Sequence, residues 1–329
     1  MAVESNAPSD ALDLRILHAL ELDARASFSR IAGVLGVSDQ TVARRFRRLR
    51  TEGGLRIVGV RCATAEDSLD HWLLRVRCAP EGALAIAQAL AKRPDTSWIG
   101  LTSGGTEVTC TANVRGRGDA DDLLLGKLPR TPHIVDIRAH QLLHRFYGGP
   151  SGWLHKSGAL SPEEAAALTP PPPPEHPGPA VITAEDEPLV AALERDGRAT
   201  YPELQKATGR SESAVKRRMA QLTASGALYV DVEFDSEHVG FRKATMLCIT
   251  AAPRALQSVG EALATDREVA YATATTGPSN LMAVVITRDT AHLYRYLSER
   301  LGRLDGVEHV ESMPFLRQVK QLTYRPFRG

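Results

Sequence analysis

The chain repeats itself. Displaced by 173 positions, its second half lies on the first without a gap: Glu21, Asp23, Arg25 and Ala26 meet Glu194, Asp196, Arg198 and Ala199. Gly36, Ser38, Val42, Arg45, Leu49, Gly53 and Leu55 then meet Gly209, Ser211, Val215, Arg218, Leu222, Gly226 and Leu228, and the register still holds at Pro80 with Pro253 and Gly104 with Gly277. Chance agreement runs at roughly one position in fifteen for ordinary residue usage, so these matches mean a duplication. Whatever one copy folds into, the other must fold into as well. A copy of this length is a small two-part module rather than a solenoid repeat.

The remaining bulk properties narrow the class. At 43% hydrophobic and 24% charged residues, the 329-residue chain reads as globular, with room for several cores. No apolar run is long enough to cross a bilayer, and the opening MAVESNAPSDALD lacks a basic-then-apolar signal, so a cytoplasmic protein without a membrane partner is expected. Cys62, Cys78, Cys110 and Cys248 are scattered and form no CxxC pair, which favours reduced, buried thiols over disulfides or zinc. A net charge of +1 means that any nucleic-acid partner must be held by a local patch.

Each copy opens with three helical patterns. In the first, Leu12, Ile16, Leu17 and Leu20 share one face, and Phe28, Ile31, Ala32 and Leu35 another. Gly36-Val37-Ser38 makes a turn, with Ser38 placed as N-cap of a third helix whose Val42, Phe46 and Leu49 point inward. This is helix-turn-helix spacing. The rhythm then becomes strand-helix-strand-strand-helix-strand, the split-βαβ order of a ferredoxin-like domain. In the first copy the elements fall at 72–78, 82–92, 96–102, 108–114, 119–127 and 133–143, after a leading strand at 55–62. In the second they fall at 245–250, 255–264, 269–275, 281–287, 290–301 and 307–315. Between the copies, five successive prolines at Pro170 to Pro174 favour a polyproline II spacer.

A helix-turn-helix joined to a βαββαβ domain, with Ser38-x-x-x-Val42-x-x-Arg45-x-x-Arg48-Leu49 followed by Glu52-Gly53, resembles the Lrp/AsnC family of transcriptional regulators. The second copy carries Ser211-x-x-x-Val215-x-x-Arg218-x-x-Gln221-Leu222 and Gly226, so the resemblance spans both copies. It implies an α+β chain: helix-turn-helix domains at 10–54 and 183–227, RAM-like ferredoxin-like domains at 55–148 and 228–325, and a Pro-rich linker at 149–182. The resemblance further implies double-stranded DNA as partner, RAM domains that pair and sometimes bind an amino-acid-like effector, and no cofactor. The linker lets the two RAM domains of one chain pair internally, as a pseudo-dimer.

With Val42, Phe46 and Leu49 inward, a step of 100° per residue is expected to put Thr41, Arg44 and Arg48 on the opposite face, flanked by Arg45 and Arg47, with Gln40 near the exposed N-terminus. Arginine can bind guanine through two bonds, glutamine can read adenine, and flanking arginines can hold phosphates. In the second copy Ser211, Ser213, Arg217 and Arg218 stand at the matching positions, with Lys216 beside them and Ala214 and Gln221 replacing Thr41 and Arg48. From Asp13 to Arg61 ten arginines stand against five acids, whereas Asp186 to Phe234 holds seven basic residues against eight acids. Phosphate attraction is a charge effect, so the first helix-turn-helix is expected to supply most of the affinity. Presenting two good readers one DNA turn apart then calls for a homo-oligomer.

In the family, a T-G-x-x-D loop lines the amino-acid site. Here that loop reads Ser103-Gly104-Gly105-Thr106-Glu107 and Thr276-Gly277-Pro278-Ser279-Asn280. Ser103, Gly104, Thr106, Glu107, Thr276, Gly277, Ser279 and Asn280 are the candidate effector contacts, but the aspartate is missing from both copies. His133, His140, His144, His292 and His309 show no metal-ligand spacing, and no hydrolase, P-loop or dinucleotide motif occurs, so no catalytic or metal residue is assigned. Siroheme decarboxylases share the tandem layout and are the alternative reading. They carry acidic and neutral residues where this first recognition helix is basic.

Overall fold

A computed structural model describes residues 11–61, 69–115, 121–149, 151–171 and 181–322. Cys62 and Pro172 to Pro174 lie outside them; Cys78, Cys110 and Cys248 are buried free thiols. The first copy runs α1 (Ala11–Leu22), α2 (Phe28–Leu35), α3 (Asp39–Thr51) and β1 (Arg56–Arg61). It continues through β2 (Leu69–Cys78), α4 (Pro80–Ala91), β3 (Thr96–Thr102), β4 (Glu107–Arg115), a π-helical segment over Asp121–Lys127 and β5 (Ile134–Tyr147). After α5 (Pro162–Leu168), the second copy repeats the order. Its helices are α6 (Glu187–Arg195), α7 (Tyr201–Thr208), α8 (Glu212–Ala224), α9 (Leu256–Thr265) and α10 (Thr290–Arg295). Its strands are β6 (Leu228–Glu233), β7 (Lys243–Ala251), β8 (Val269–Thr275), β9 (Leu281–Thr287), β10 (Val307–Pro314) and β11 (Arg317–Lys320).

These elements form two compact units, each built from both copies: Met1–Glu66 with Pro150–Gly240, and Asp67–Gly149 with Phe241–Gly329. The expected boundaries at 54/55 and 227/228 therefore shift. β1 and β6 hydrogen-bond to each other, Arg56 opposite Glu233 and Arg61 opposite Leu228, so both belong with the helices and not with the ferredoxin-like sheets.

In the helical unit, local chemistry sets the helix ends. Ser27 and Ser38 cap α2 and α3 by accepting from the Arg30 and Thr41 amides, and α2 stops at Gly36, whose φ of 69° suits glycine. The second copy repeats this with Thr200, Ser211 and Gly209. Ile16, Leu17, Leu20, Ile31, Val42 and Leu49 close one core; Leu189, Val190, Leu193, Leu204, Val215 and Leu222 close the other. The copies grip each other reciprocally. Arg25 donates to the Gly197 and Ala199 carbonyls, and its counterpart Arg198 donates to those of Ala24 and Ala26 at 2.8 and 2.9 Å.

The stretch expected to be spacer is folded from residue 151 to residue 168. Leu154 and Leu168 are fully buried, a Ser161–Glu164 capping box starts α5, Arg15 pairs with Glu164, and Arg30 donates to the Ala167 carbonyl. The Glu21 carboxylate accepts from the Leu154 and His155 amides at 3.0 and 2.8 Å. Burial nevertheless pushes Glu21 up to about 7, and burial likewise pushes the neighbouring Asp231 up to about 6.

The second unit is a nine-stranded sheet of order β10-β7-β9-β8-β5-β2-β4-β3-β11. Each copy contributes four strands in ferredoxin-like order, covered by α4 in one case and by α9 with α10 in the other. The copies are joined by strands that cross over. β5 pairs with β2 up to Gln141 and then with β8 from Leu142 to Tyr147, while β11 pairs with β3. His144 faces Ala274 and Arg317 faces Leu101, which are equivalent pairs under the 173-residue shift. The internal pseudo-dimer is thus present, and a separate apolar cluster of Leu73, Met246, Cys248, Met282 and Met313 draws on both copies.

Candidate nucleic-acid interface

The residues of α3 divide into two sets. Gln40, Arg44, Arg47 and Arg50 are exposed, and among the described residues none of the three arginines has a carboxylate at ion-pair distance. Arg47 Nε donates to the Ala43 carbonyl, and Arg50 lies over the Phe46 ring. Together these side chains make a cationic ridge. Ser38 is occupied as the cap, and its hydroxyl lies 2.9 Å from that of Thr41, which is half-buried at the margin of the ridge.

Arg45 and Arg48 depart from expectation. Both reach Asp13 on α1, which is 2% exposed; Arg45 Nη1 lies 3.4 Å from Oδ1 and Arg48 bonds Oδ2 directly. Stepping 100° per residue from Val42 carries positions 45 and 48 to the flank that meets α1, so a buried carboxylate takes both guanidinium groups. Arg218 does the same in the second copy, holding the 1% exposed Asp186 at 2.6 Å with help from Arg210 at 3.2 Å. Burial opposes ionisation of Asp186, but Arg218, Thr183 and Arg210 hold its carboxyl below the usual carboxylate range. These arginines brace the helix-turn-helix.

On α8, Lys216 pairs with Glu212 at 2.6 Å and lies over the Tyr201 ring, Ser211 is the cap with Ser213 beside it, and Arg217 stands exposed. Ala220 and Thr223 occupy the positions of Arg47 and Arg50. Three free arginines on α3 thus answer to one on α8. Arg50 and the contrast at positions 47 and 220 were missed by sequence reasoning, although the helical arc centred opposite Val42 contains the signal.

The two effector loops are turns in which Ser103, Thr106, Glu107, Thr276 and Asn280 are already engaged through their side chains. Gly104 and Gly277 have φ of 68° and 105°, which accounts for glycine at both. Glu107 is 7% exposed; it takes Arg75 and the Ser103 hydroxyl, while Thr106 Oγ1 donates to the Ser103 carbonyl. Asn280 brackets Ala251, accepting from its amide at 2.9 Å and donating to its carbonyl at 2.7 Å. Thr276 exchanges hydrogen bonds with the Gln141 backbone, and the Ser279 carbonyl accepts from Thr275. Neither loop offers a free carboxylate. Among the described residues no three His, Cys, Asp or Glu converge as metal ligands, and no helix is long and apolar enough to cross a membrane.

Comparison with known proteins agrees with this arrangement. The family model of the AsnC-type helix-turn-helix domain matches residues 10–50, a winged helix-turn-helix DNA-binding model matches 189–228, and the Lrp/AsnC ligand binding domain matches 245–324. The HTH-type transcriptional regulator LrpA of Pyrococcus horikoshii is 27% identical over 141 residues, covering 43% of this chain and 100% of its own length. The regulator FL11 of the same organism is 26% identical over 144 residues, covering 44% and 95%. One copy of this chain therefore corresponds to one whole relative. The crystal structure of the siroheme decarboxylase NirDL superposes over 96% of this chain and 94% of its own, with a TM-score of 0.60 at 14% identity, a likeness of fold. Two helix-turn-helix modules, a ligand-binding domain of this type and relatives that each match a single copy make the chain a tandem-duplicated member of the Lrp/AsnC family.

Proposed function

We propose that this protein is a transcriptional regulator that binds double-stranded DNA sequence-specifically, mainly through α3, and performs no catalysis. The observation that carries this reading is the ridge of Arg44, Arg47 and Arg50 beside Gln40, exposed and, among the described residues, without carboxylate partners. A helix of this kind fits the major groove, where arginine and glutamine read base edges while other arginines hold phosphates. On α8 only Arg217 is comparably free, so the second helix-turn-helix contributes less. Two chains, assembled as a homo-oligomer, then present two α3 readers to one operator. The tandem fold shared with a siroheme decarboxylase leaves this reading in place, because that likeness is one of architecture.

The loops equivalent to the family's amino-acid site support an effector without α-amino recognition by a carboxylate, since Glu107 and Asn280 are both engaged within the fold. Titrating fluorescent DNA fragments from around the protein's own gene tests the main reading. With about four phosphates contacted, affinity falls about a hundredfold between 50 and 200 mM salt. Arg44→Ala weakens binding by about tenfold or more, and Arg217→Ala by far less. Equal losses from the two variants, or salt-independent binding, defeat the assignment.

A further inference from the structure

The two β domains are equivalent under the 173-residue shift, yet one buried spot between them is not. Arg75 on β2 is 8% exposed and lies between two carboxylates. From its own copy Glu107 takes Nε at 2.5 Å and Nη2 at 3.2 Å; from the other copy Glu311 on β10 takes Nη1 at 2.7 Å and Nη2 at 2.9 Å. Arg75 Nη1 also lies 3.8 Å from Cys248 Sγ, and Cys248 is the counterpart of Arg75 itself. The arginine therefore sits at the pseudo-twofold axis, where equivalent positions touch.

The counterparts in the other copy invert this chemistry. Where the first copy has Arg75, Glu107 and Arg138, the second has Cys248, Asn280 and Glu311. A first-copy domain seated on another first-copy domain brings two Arg75 side chains into contact and sets Arg138 where Glu311 stands. A second-copy domain seated on its own kind has Glu311 opposite Cys248 and no cation. Two arginines brought together out of water repel each other strongly, whereas Glu311, with 42% of its side chain exposed, merely goes unpaired. Only the unlike pair satisfies the arginine.

We propose that Arg75, with Glu107 and Glu311, is a pairing code: it lets a first-copy β domain seat only on a second-copy β domain. The tether then makes the chain's own second half the favoured occupant, because linkage raises the effective concentration of that half to the millimolar range. Assembly between chains is left to other surfaces. This inference is independent of DNA binding.

Hydrogen exchange on the full chain tests it, because strands within a copy and strands between copies report separately. Glu311→Arg is expected to speed exchange at least tenfold in Leu142–Tyr147 and Arg317–Lys320, whose partners lie in the other copy, while β4 and β9 remain protected. Adding Arg75→Cys removes the like charge and leaves Glu107 to face the introduced guanidinium; protection of the crossing strands is expected to return. Three outcomes overturn the proposal. The crossing strands of Glu311→Arg keep wild-type protection, all strands of that variant lose protection alike, or the double variant fails to recover.

Discussion

The two helix-turn-helix copies share a scaffold and differ in what they show to solvent. Asp13 and Asp186 occupy equivalent positions, each buried and each gripping the arginine at the same place on the third helix, Arg45 or Arg218. The second arginine arrives from different places: Arg48 on α3 itself in one copy, Arg210 from the turn before α8 in the other. Outside this frame, Arg47 and Arg50 of α3 correspond to Ala220 and Thr223 of α8. The comparison teaches that an arginine within reach of the buried aspartate is a strut, whether kept in both copies (Arg45 and Arg218) or present in one (Arg48, Arg210), whereas an arginine beyond that reach is available to a partner. Duplication frees one copy to lose its cations while the fold keeps its braces.

The struts carry the largest expected effect. Asp13→Ala leaves two guanidinium groups facing a partly buried gap, and we expect a loss of about 2 kcal/mol in unfolding free energy, discounted for the exposure of Arg48. Asp186→Ala is expected to cost more, because Asp186 also accepts from the Thr183 amide and hydroxyl. Denaturant titration measures both. A stable Asp13→Ala protein with tighter DNA binding makes Arg48 a reader and undoes the division into struts and readers.

The converse experiment moves the ridge. Ala220→Arg with Thr223→Arg gives α8 the free cations of α3, and affinity is expected to rise about tenfold, with the slope against log salt steeper by roughly two. An unchanged salt slope shows that α8 does not approach DNA, whatever its charge.

A smaller effect is read in pH, where each copy brings one raised carboxyl to the helical unit. Glu21 is held up at about 7 and Asp231 at about 6, both by burial, above ordinary values of 4.5 and 3.8. A carboxyl raised in the folded state contributes stability that is complete below its unfolded value and lost as pH rises through its folded value. The thermal midpoint of the helical unit should therefore fall between pH 4.5 and about 7, and Glu21→Gln should flatten that fall. An equally steep fall in the variant assigns the effect to other groups.

Much of this was legible in the sequence, because hydrophobic period and turn residues state the local answer. Strands 96–102, 269–275 and 281–287 lie where alternation places them, and Ser38 and Ser211 cap as their spacing requires. What escaped was decided by distant partners. β1 reads as a strand, but nothing local says that it pairs with β6 rather than β2. Trp153, Leu154, Leu160 and Leu168 were apolar signals inside a stretch dominated by its prolines, and they fold against the first helices. Arg45 and Arg48 look like Arg44 until the buried carboxylate on α1 is located. The asymmetry at Arg75 and Cys248 was visible in the repeat alignment, but its meaning needed the crossing strands.

That crossing has a consequence for synthesis. The last six residues of β5 find their hydrogen-bond partners on β8, about 130 residues further along the chain. At roughly 5–20 residues per second, a ribosome takes about 6 to 25 seconds to supply them. Throughout that interval the nascent first half displays an unsatisfied strand to any neighbouring polysome product. A device that refuses identical halves, as the Arg75 contact does, is then most valuable before the protein is finished.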